Sequence, residues 1–495
     1  MGLKPGSGVA ILIRFEESQI VMGLDIEAKQ SLQSRRQLRE AGKELRKSVT
    51  RASHAKLAID PERDPIAILT ATDAHRIPEL LPIRYQRMAA SSFAFFRGAA
   101  AVMASDLQHA PSAGLPVQAC GDCHLMNFGA FDTPEGGILF DINDFDETLP
   151  GIDFSVDIKR LSASIAVAAI DVGLSDKKAR LIVSETVKAY REFMLDLAQL
   201  SPLEIWHTSM VLEREVKAIE DGALRGHILD SLMRARKDLL LDGNFPRLAT
   251  DRNKAPKITD HPPLIYHLEE EADKTHSFDA MSAFARYREG LPPERRILVE
   301  RYALSDLAFK VVGIGSVGTF CTVGLFLTAD RDPLFLQVKE AQKSVLERLR
   351  KTNNKHLHQG QRVVEGQRVM QAASDVFLGW TQDKITGRFF YVRHLKNRRL
   401  GSIGEVMEGG ALSAYAVLCG RTLARAHARS GDAVAMAGYL GRANEFDDAM
   451  ATFAMSYAEQ TKRDHDRLLA ALADGRLPKP PTQAHKLNQG SKVAV

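Results

Sequence analysis

Gly121-Asp122-Cys123-His124-Leu125-Met126-Asn127, followed by Phe140-Asp141-Ile142-Asn143-Asp144-Phe145-Asp146, is the stretch on which the reading of this chain turns. The first segment carries an Asp and, five positions on, an Asn. The second runs out of an apolar strand, Gly137 to Phe140, into a cluster of carboxylates. Mg²⁺ is a hard cation that takes a few oxygen ligands and keeps positions open for substrate phosphates. An Asp, an Asn and a second Asp on two neighbouring loops supply that set and leave one Asp over as a base. Gly-Asp and Asn-Phe-Gly are also ordinary turn chemistry, so the assignment needs support from elsewhere in the chain.

That support lies downstream. Lys310-Val311-Val312-Gly313-Ile314-Gly315-Ser316-Val317-Gly318-Thr319-Phe320 contains G-x-G-x-x-G after a short β-branched run. A dinucleotide fingerprint would open a helix at this point, with its N-terminus on the pyrophosphate. Here the chain continues as Cys321-Thr322-Val323-Gly324-Leu325-Phe326-Leu327, which reads as a strand. A third strand, Pro333 to Val338, ends at Lys339. Strand, glycine loop, strand and strand lysine resemble the small lobe of a protein kinase, whose lysine pairs with the α- and β-phosphates. A helix should then offer a Glu to that lysine. Glu347 on 344–350 and Glu365 on 361–373 both qualify, and Glu365 is preferred because two strands follow its helix, the second being 388–392.

The order of these parts is reversed relative to a kinase, where the glycine loop precedes the catalytic loop. A circular permutation restores it, and permutation is tolerated where termini lie at the surface. Asp153-Phe154-Ser155-Val156-Asp157 opens a helix that resembles the one in aminoglycoside-phosphotransferase-like kinases whose Asp braces the catalytic loop. The amphipathic helix 412–430 resembles the one that precedes the catalytic loop in those enzymes. Ile83-Arg84-Tyr85-Gln86-Arg87-Met88, Phe93-Ala94-Phe95-Phe96-Arg97-Gly98 and the two opening blocks also resemble the bacterial family known as domain of unknown function 2252 (DUF2252), over about residues 40–470. Ser92 and Ile152 depart from that family's expected prolines. The resemblance implies a kinase-like fold and no particular acceptor.

Composition sets the outer bounds. At 495 residues the chain is long enough for two or three core-bearing units. Its 66 basic and 62 acidic side chains nearly balance, so charge alone gives no reason to expect nucleic acid. Basic residues do concentrate between Lys29 and Arg51 (Arg35, Arg36, Arg39, Lys43, Arg46, Lys47 and Arg51), which is expected to be a solvated helical arm. No apolar run reaches the ~18 residues of a membrane span, and Val9–Ile13 is too short for a signal-peptide core. A cytoplasmic protein with no membrane partner is expected. We find no internal repeat, and the tail from 477 is expected to be flexible. Four cysteines in such a length fit a reducing compartment. Cys120-Gly121-Asp122-Cys123-His124 matches the C-x-x-C-H pattern of c-type haem attachment, but that reading leaves Asn127 and the carboxylates unexplained. His356, His358 and His465 lack convincing metal-ligand partners in sequence.

The expected fold is therefore α+β, protein-kinase-like, two-lobed and circularly permuted: a basic helical arm at 1–75, a helical large lobe at 76–310 with the catalytic and metal loops, a β-rich nucleotide-binding lobe at 311–395, returning helices at 396–480 and a flexible tail at 481–495. Expected cofactors are ATP and Mg²⁺. Gly313, Gly315, Ser316 and Gly318 would meet the phosphates, Lys339 would neutralise them and Glu365 would orient Lys339. Asn127 and Asp144 would hold the metal, with Asp141, Asp146 and Glu147 as further candidate ligands. Asp122 would accept the acceptor's proton, and Asp157 would brace the loop. His124 would support the loop; Arg84, Arg87 and Arg97 are candidates for binding an anionic acceptor. The acceptor is expected to be a small molecule, although a protein is not excluded. Transfer of AMP to a protein, or nucleotide binding without catalysis, are the alternatives. Retention of Asp122, Asn127, Asp144 and Lys339 together argues against the inactive form. Oligomeric state is not legible.

Overall fold

The computed structural model describes residues 33–133, 137–217, 222, 225–226, 256–267, 279–311, 313–350, 358–395 and 411–479. It is a mixed α+β structure built around one six-stranded antiparallel sheet and a helical body. Two small two-stranded sheets carry the loops of interest: β1 (Pro116–Ala119) pairs with β4 (Leu149–Asp153), and β2 (Phe128–Asp132) with β3 (Ile138–Ile142).

In the large sheet the order is β5 (Ile265–Tyr266), β6 (Ala303–Lys310), β7 (Cys321–Leu327), β8 (Pro333–Glu340), β10 (Phe389–His394), β9 (Gly379–Gln382). The glycine loop joins β6 to β7. The helix Gln359–Met370 lies between β8 and β9 in sequence. The expected boundary at 311 cuts this sheet, because its first long strand starts at Ala303. Asp306 and Lys310 interrupt the apolar pattern there and hide the strand.

Side chains on a strand alternate between faces. Leu334, Leu336 and Val338 of β8 therefore share one face, packed with Phe326, Phe390 and Val392 beneath Tyr287 and Leu291. Phe335, Gln337 and Lys339 share the other. Tyr391 stands directly opposite Lys339, and Arg393 opposite Gln337. That second face is apolar at one end, around Ile258, Val323, Leu325 and Phe335, and polar at the end that carries Lys339.

The largest core joins the helices Ser155–Asp171, Asp176–Leu197, Leu412–Ser430, Ala433–Leu440 and Glu445–Ala473 to the β2–β3 hairpin. Residues from both ends of the chain thus surround the 116–160 segment. The basic arm is solvated as expected on most of its surface, but one face is packed. Its described part, Arg35–Ser48, packs on Ala433–Leu440 so closely that a Cβ on Gly42 would lie 2.0 Å from the Ala435 carbonyl oxygen. Arg35 donates to the carbonyls of Gln199 and Leu200 at 2.7 Å, and Arg46 to those of Gly438 and Tyr439. The Arg46 cation on the last carbonyls of Ala433–Leu440 satisfies acceptors that have no partner within the helix. No described helix is long and apolar enough to cross a membrane. Val9–Ile13, His356 and residues 480–495 lie outside the described residues.

Candidate active site

The chain leaves β1 through Cys120 and Gly121 into the loop that carries Asp122. Gly121 has φ +92°, and a Cβ there would sit 2.4 Å from the Glu147 carbonyl oxygen. Asp157, in the first turn of its helix, accepts from the Cys120 N–H at 2.6 Å and the Gly121 N–H at 2.9 Å. Behind it, His427 Nε2 lies 3.2 Å from Asp157 Oδ2, and Tyr190 Oη lies 2.9 Å from His427 Nδ1. All three are buried. The brace assigned to Asp157 by resemblance thus has a geometric basis, with two further residues that the sequence did not signal.

Arg160, one turn after Asp157, donates from Nε and Nη2 to Asp122 Oδ1 at 2.9 and 2.8 Å. Its guanidinium lies 3.8 Å from the Phe96 ring centroid, and Nη2 also reaches the Phe96 carbonyl at 2.7 Å. Both contacts to Asp122 use Oδ1, so Oδ2 is left for other work; His124 Nε2 is 3.7 Å from it. Burial pushes the Asp122 carboxyl above its usual range, against the opposing pull of Arg160 and Arg97. Asn127 Nδ2 donates to the Asp122 carbonyl at 2.6 Å. That bond fixes the amide so that Oδ1 is directed elsewhere.

The carboxylates after β3 divide by role. Asp141 is buried, paired with Arg425 at 2.5 Å, and accepts from the Ala372 N–H at 3.0 Å. It fastens the hairpin to two other segments and is not available as a metal ligand. Asp144 accepts from the Asp146 N–H at 3.1 Å, and its Oδ2 lies 3.9 Å from Lys339 Nζ. Burial and the neighbouring Asp146 charge raise its pKa. Asp146 is the direct partner of Lys339. It also accepts from Tyr391 Oη at 2.8 Å and from Ser316 Oγ of the glycine loop at 3.2 Å. Burial opposes its ionisation, but the Lys339 charge and the hydrogen bonds from Lys339 and Tyr391 hold its pKa below the usual value. Glu147 turns away to accept from the Val345 N–H at 2.7 Å.

Lys339 is buried, and no ion pair among the described residues joins it to Glu365 or Glu347. Glu365 accepts from Gln361 Nε2 at 2.7 Å, and Glu347 lies 3.8 Å from Arg350. The expected Lys339–Glu365 pair is not formed. The helix turns Arg362 and Gly366 toward the 146–148 segment instead, and Asp146 already occupies the position beside the amine. Arg362 Nη2 donates to the carbonyls of Asp146 at 2.9 Å and Gln342 at 2.7 Å, while Nη1 donates to Thr148.

Gly313 (φ +50°) and Gly318 (φ +88°) adopt backbone conformations suited to glycine. Gly315 does not, and a Cβ there would meet only the Arg97 carbonyl oxygen, at an ordinary 3.4 Å. The fold alone thus gives Gly315 no reason to be glycine. From below, Arg76 donates to the Val317 carbonyl at 2.5 Å and Arg87 to that of Gly313 at 3.1 Å. Arg84 is buried against Asp73 and the Gly98 carbonyl, so it is structural and faces no acceptor.

A family model described as "Uncharacterized protein conserved in bacteria (DUF2252)" matches residues 76–471. The chain belongs to the DUF2252 family. No curated protein and no solved structure matches it. The matched region of this DUF2252 protein contains the Asp122 loop, the 141–147 carboxylates, the glycine loop and Lys339.

A Mg²⁺ ion would be held by Asn127 and Asp144, whose oxygens are the ligand type that ion takes, with positions left for water and phosphate. Among the described residues no three His, Cys, Asp or Glu side chains form a cage that could hold a metal. Cys120 and Cys123 are free, buried thiols. Contact with Cys123, followed by burial, pushes Cys120 well up, and burial takes Cys123 to about 11. Both are thus poorly suited to act as thiolate ligands. Sequence reasoning named Asp146 as a candidate metal ligand but not as the partner of Lys339, and it missed Tyr391, Arg160 and Arg362. The cross-strand pairing of Tyr391 with Lys339 could have been found from the strand register; the roles of Asp146, Arg160 and Arg362 depend on tertiary placement.

Proposed function

We propose that this protein is an ATP- and Mg²⁺-dependent phosphotransferase of circularly permuted, kinase-like fold. The observation that carries the reading is the meeting of three distant motifs at one carboxylate. Asp146, in the loop two residues after Asp144, holds Lys339, 193 residues away in sequence, and Ser316 of the glycine loop. Chance turn motifs have no reason to converge in this way. The element order of the sheet, with strand, glycine loop, strand, lysine strand, helix and two more strands, supports the same reading. The seating of helix Leu412–Ser430 under the Asp122 loop, through His427, supports the rotated order.

Bound MgATP would supply the transferable phosphoryl group and its charge neutralisation, with Asn127 and Asp144 as the metal's protein ligands. The chain's own residues do the rest. Lys339 brings a buried cation to the phosphates, and Gly315 keeps backbone amides free to approach them. Arg160 holds Asp122 by one oxygen, so that Oδ2 points to the acceptor hydroxyl and takes its proton. A carboxyl with a raised pKa is better matched to that step than an ordinary one. The acceptor is a small molecule in this reading, with Arg97 beside Asp122 favouring one that carries negative charge.

The test is incubation of the protein with MgATP and a bacterial lysate, followed by mass spectrometry of small molecules and proteins. A phosphoryl adduct lost in Asp122→Asn supports the proposal. An AMP adduct would move the reading to nucleotidyl transfer at the same site. Equal labelling by wild type and Asp122→Asn would remove Asp122 from the chemistry.

A further inference from the structure

We infer that Asp146, rather than a glutamate of the Gln359–Met370 helix, is the residue that positions Lys339 for phosphate, and that the helix acts on Lys339 only through Asp146. The inference rests on the nucleotide-binding reading above and names a residue for that site.

Three observations carry it. First, the amine of Lys339 is directed at Asp146, with Asp144 farther off at 3.9 Å, and neither Glu347 nor Glu365 is paired with it. Second, Asp146 is itself fixed from several sides. Its Oδ1 takes the Tyr391 hydroxyl, and its Oδ2 takes Lys339 and the Ser316 hydroxyl. Tyr391 stands directly across the strand pair from Lys339, and amine and phenol meet on the same carboxylate. Third, the helix sends Arg362 to the same place. Arg362 is fully buried and donates to the main-chain carbonyls of Asp146 and Thr148 and to that of Gln342. Movement of the helix therefore displaces the backbone that carries Asp146, and Lys339 with it. A glutamate on the helix would do this directly; here a buried arginine and a loop aspartate divide the task.

Two double-mutant cycles test the inference, one with nucleotide and one without. In the first, MgATP is titrated into wild type, Asp146→Asn, Lys339→Met and the double variant, with Glu365→Gln as comparison. The expected result is about tenfold weaker binding in Asp146→Asn, less than about twofold in Glu365→Gln, and little added loss when Asp146→Asn is placed on Lys339→Met. Asp146→Glu, which keeps the charge, recovers part of the affinity. A full additional loss on Lys339→Met would overturn the inference and make Asp146 a direct ligand of the nucleotide or metal. A loss in Glu365→Gln equal to that in Asp146→Asn would overturn it as well. The second cycle measures melting temperatures of the same four proteins without nucleotide. Non-additive shifts support the pairing, and additive shifts overturn it. If wild type binds no MgATP while the melting cycle is non-additive, the nucleotide reading fails and the Asp146–Lys339 pairing stands.

Discussion

The Asp122 loop and the Lys339 strand end both adjoin the 144–147 segment, but they are held in different ways. The loop is fixed by its own backbone. Gly121 has no room for a side chain, and the N–H groups on either side of the Cys120–Gly121 peptide are seated on Asp157. Lys339 lies in a strand paired on both sides, but its amine is held by a side chain, Asp146, from a loop 193 residues away. A catalytic loop must keep one geometry throughout a reaction, whereas a phosphate-binding cation must meet its ligand while a carboxylate holds it in place. Main-chain support at one place and a side-chain pair at the other match those two demands.

The difference predicts where substitutions act. Gly121→Ala has the largest expected effect, because it combines an unfavourable φ with a clash against main chain. It should cost about 3 kcal/mol or more, read as a fall in the denaturant midpoint. Asp157→Asn comes next, at about 2–3 kcal/mol, since an amide replaces a carboxylate that serves two buried N–H groups and His427; the same midpoint measures it. Gly315→Ala should separate the two regions most sharply. Stability should change by less than about 0.5 kcal/mol, while MgATP affinity falls by about three- to tenfold, a change of roughly 1 kcal/mol. Equal losses of stability in Gly121→Ala and Gly315→Ala would mean that both glycines serve only the fold.

The smallest effect concerns Glu147, which joins the two regions through its contacts with Gly121 and Val345. Burial pushes its carboxyl up from 4.5 to about 7, against the pull of the Val345 N–H and Arg362. The folded state therefore binds this proton more tightly than the unfolded state. Its contribution to stability is greatest below the unfolded value and falls as pH rises from 4.5 toward 7. Glu147→Gln should flatten that fall. Melting curves between about pH 5 and 8 should show its slope reduced by about 1–3 °C over the range; an unchanged slope would show that Glu147 does not titrate there.

Much of this was legible because motifs with fixed spacing report local geometry. Asp122 and Asn127 lie on one short loop, and the amide of Asn127 bonds the Asp122 carbonyl, so their separation in sequence carries the contact. Strand, glycine loop, strand and lysine could be read from β-branched runs and glycines. The packed face of the basic arm was not foreseen because a fully solvated helix and one that docks by one face have the same composition, and only packing shows Arg46 on helix-end carbonyls and Arg35 on those just past a helix. The partner of Lys339 was misread for a related reason. Glu365 lay on the expected element, but the rotation of that helix is set by Gly366 and Arg362 against the 146–148 segment, which no local pattern encodes. Asp141 remained a further candidate ligand behind Asp144 in sequence, and only Arg425 beside it shows that it is already taken.

The most direct measurement is calorimetric titration of ATP with Mg²⁺ into wild type, Asp144→Asn and Lys339→Ala. Micromolar-range binding that weakens by about tenfold or more in both variants is the predicted result, and it would establish one nucleotide site spanning the two regions. No binding by wild type, or binding indifferent to both substitutions, would contradict it and leave the glycine loop and the carboxylates as structural neighbours only.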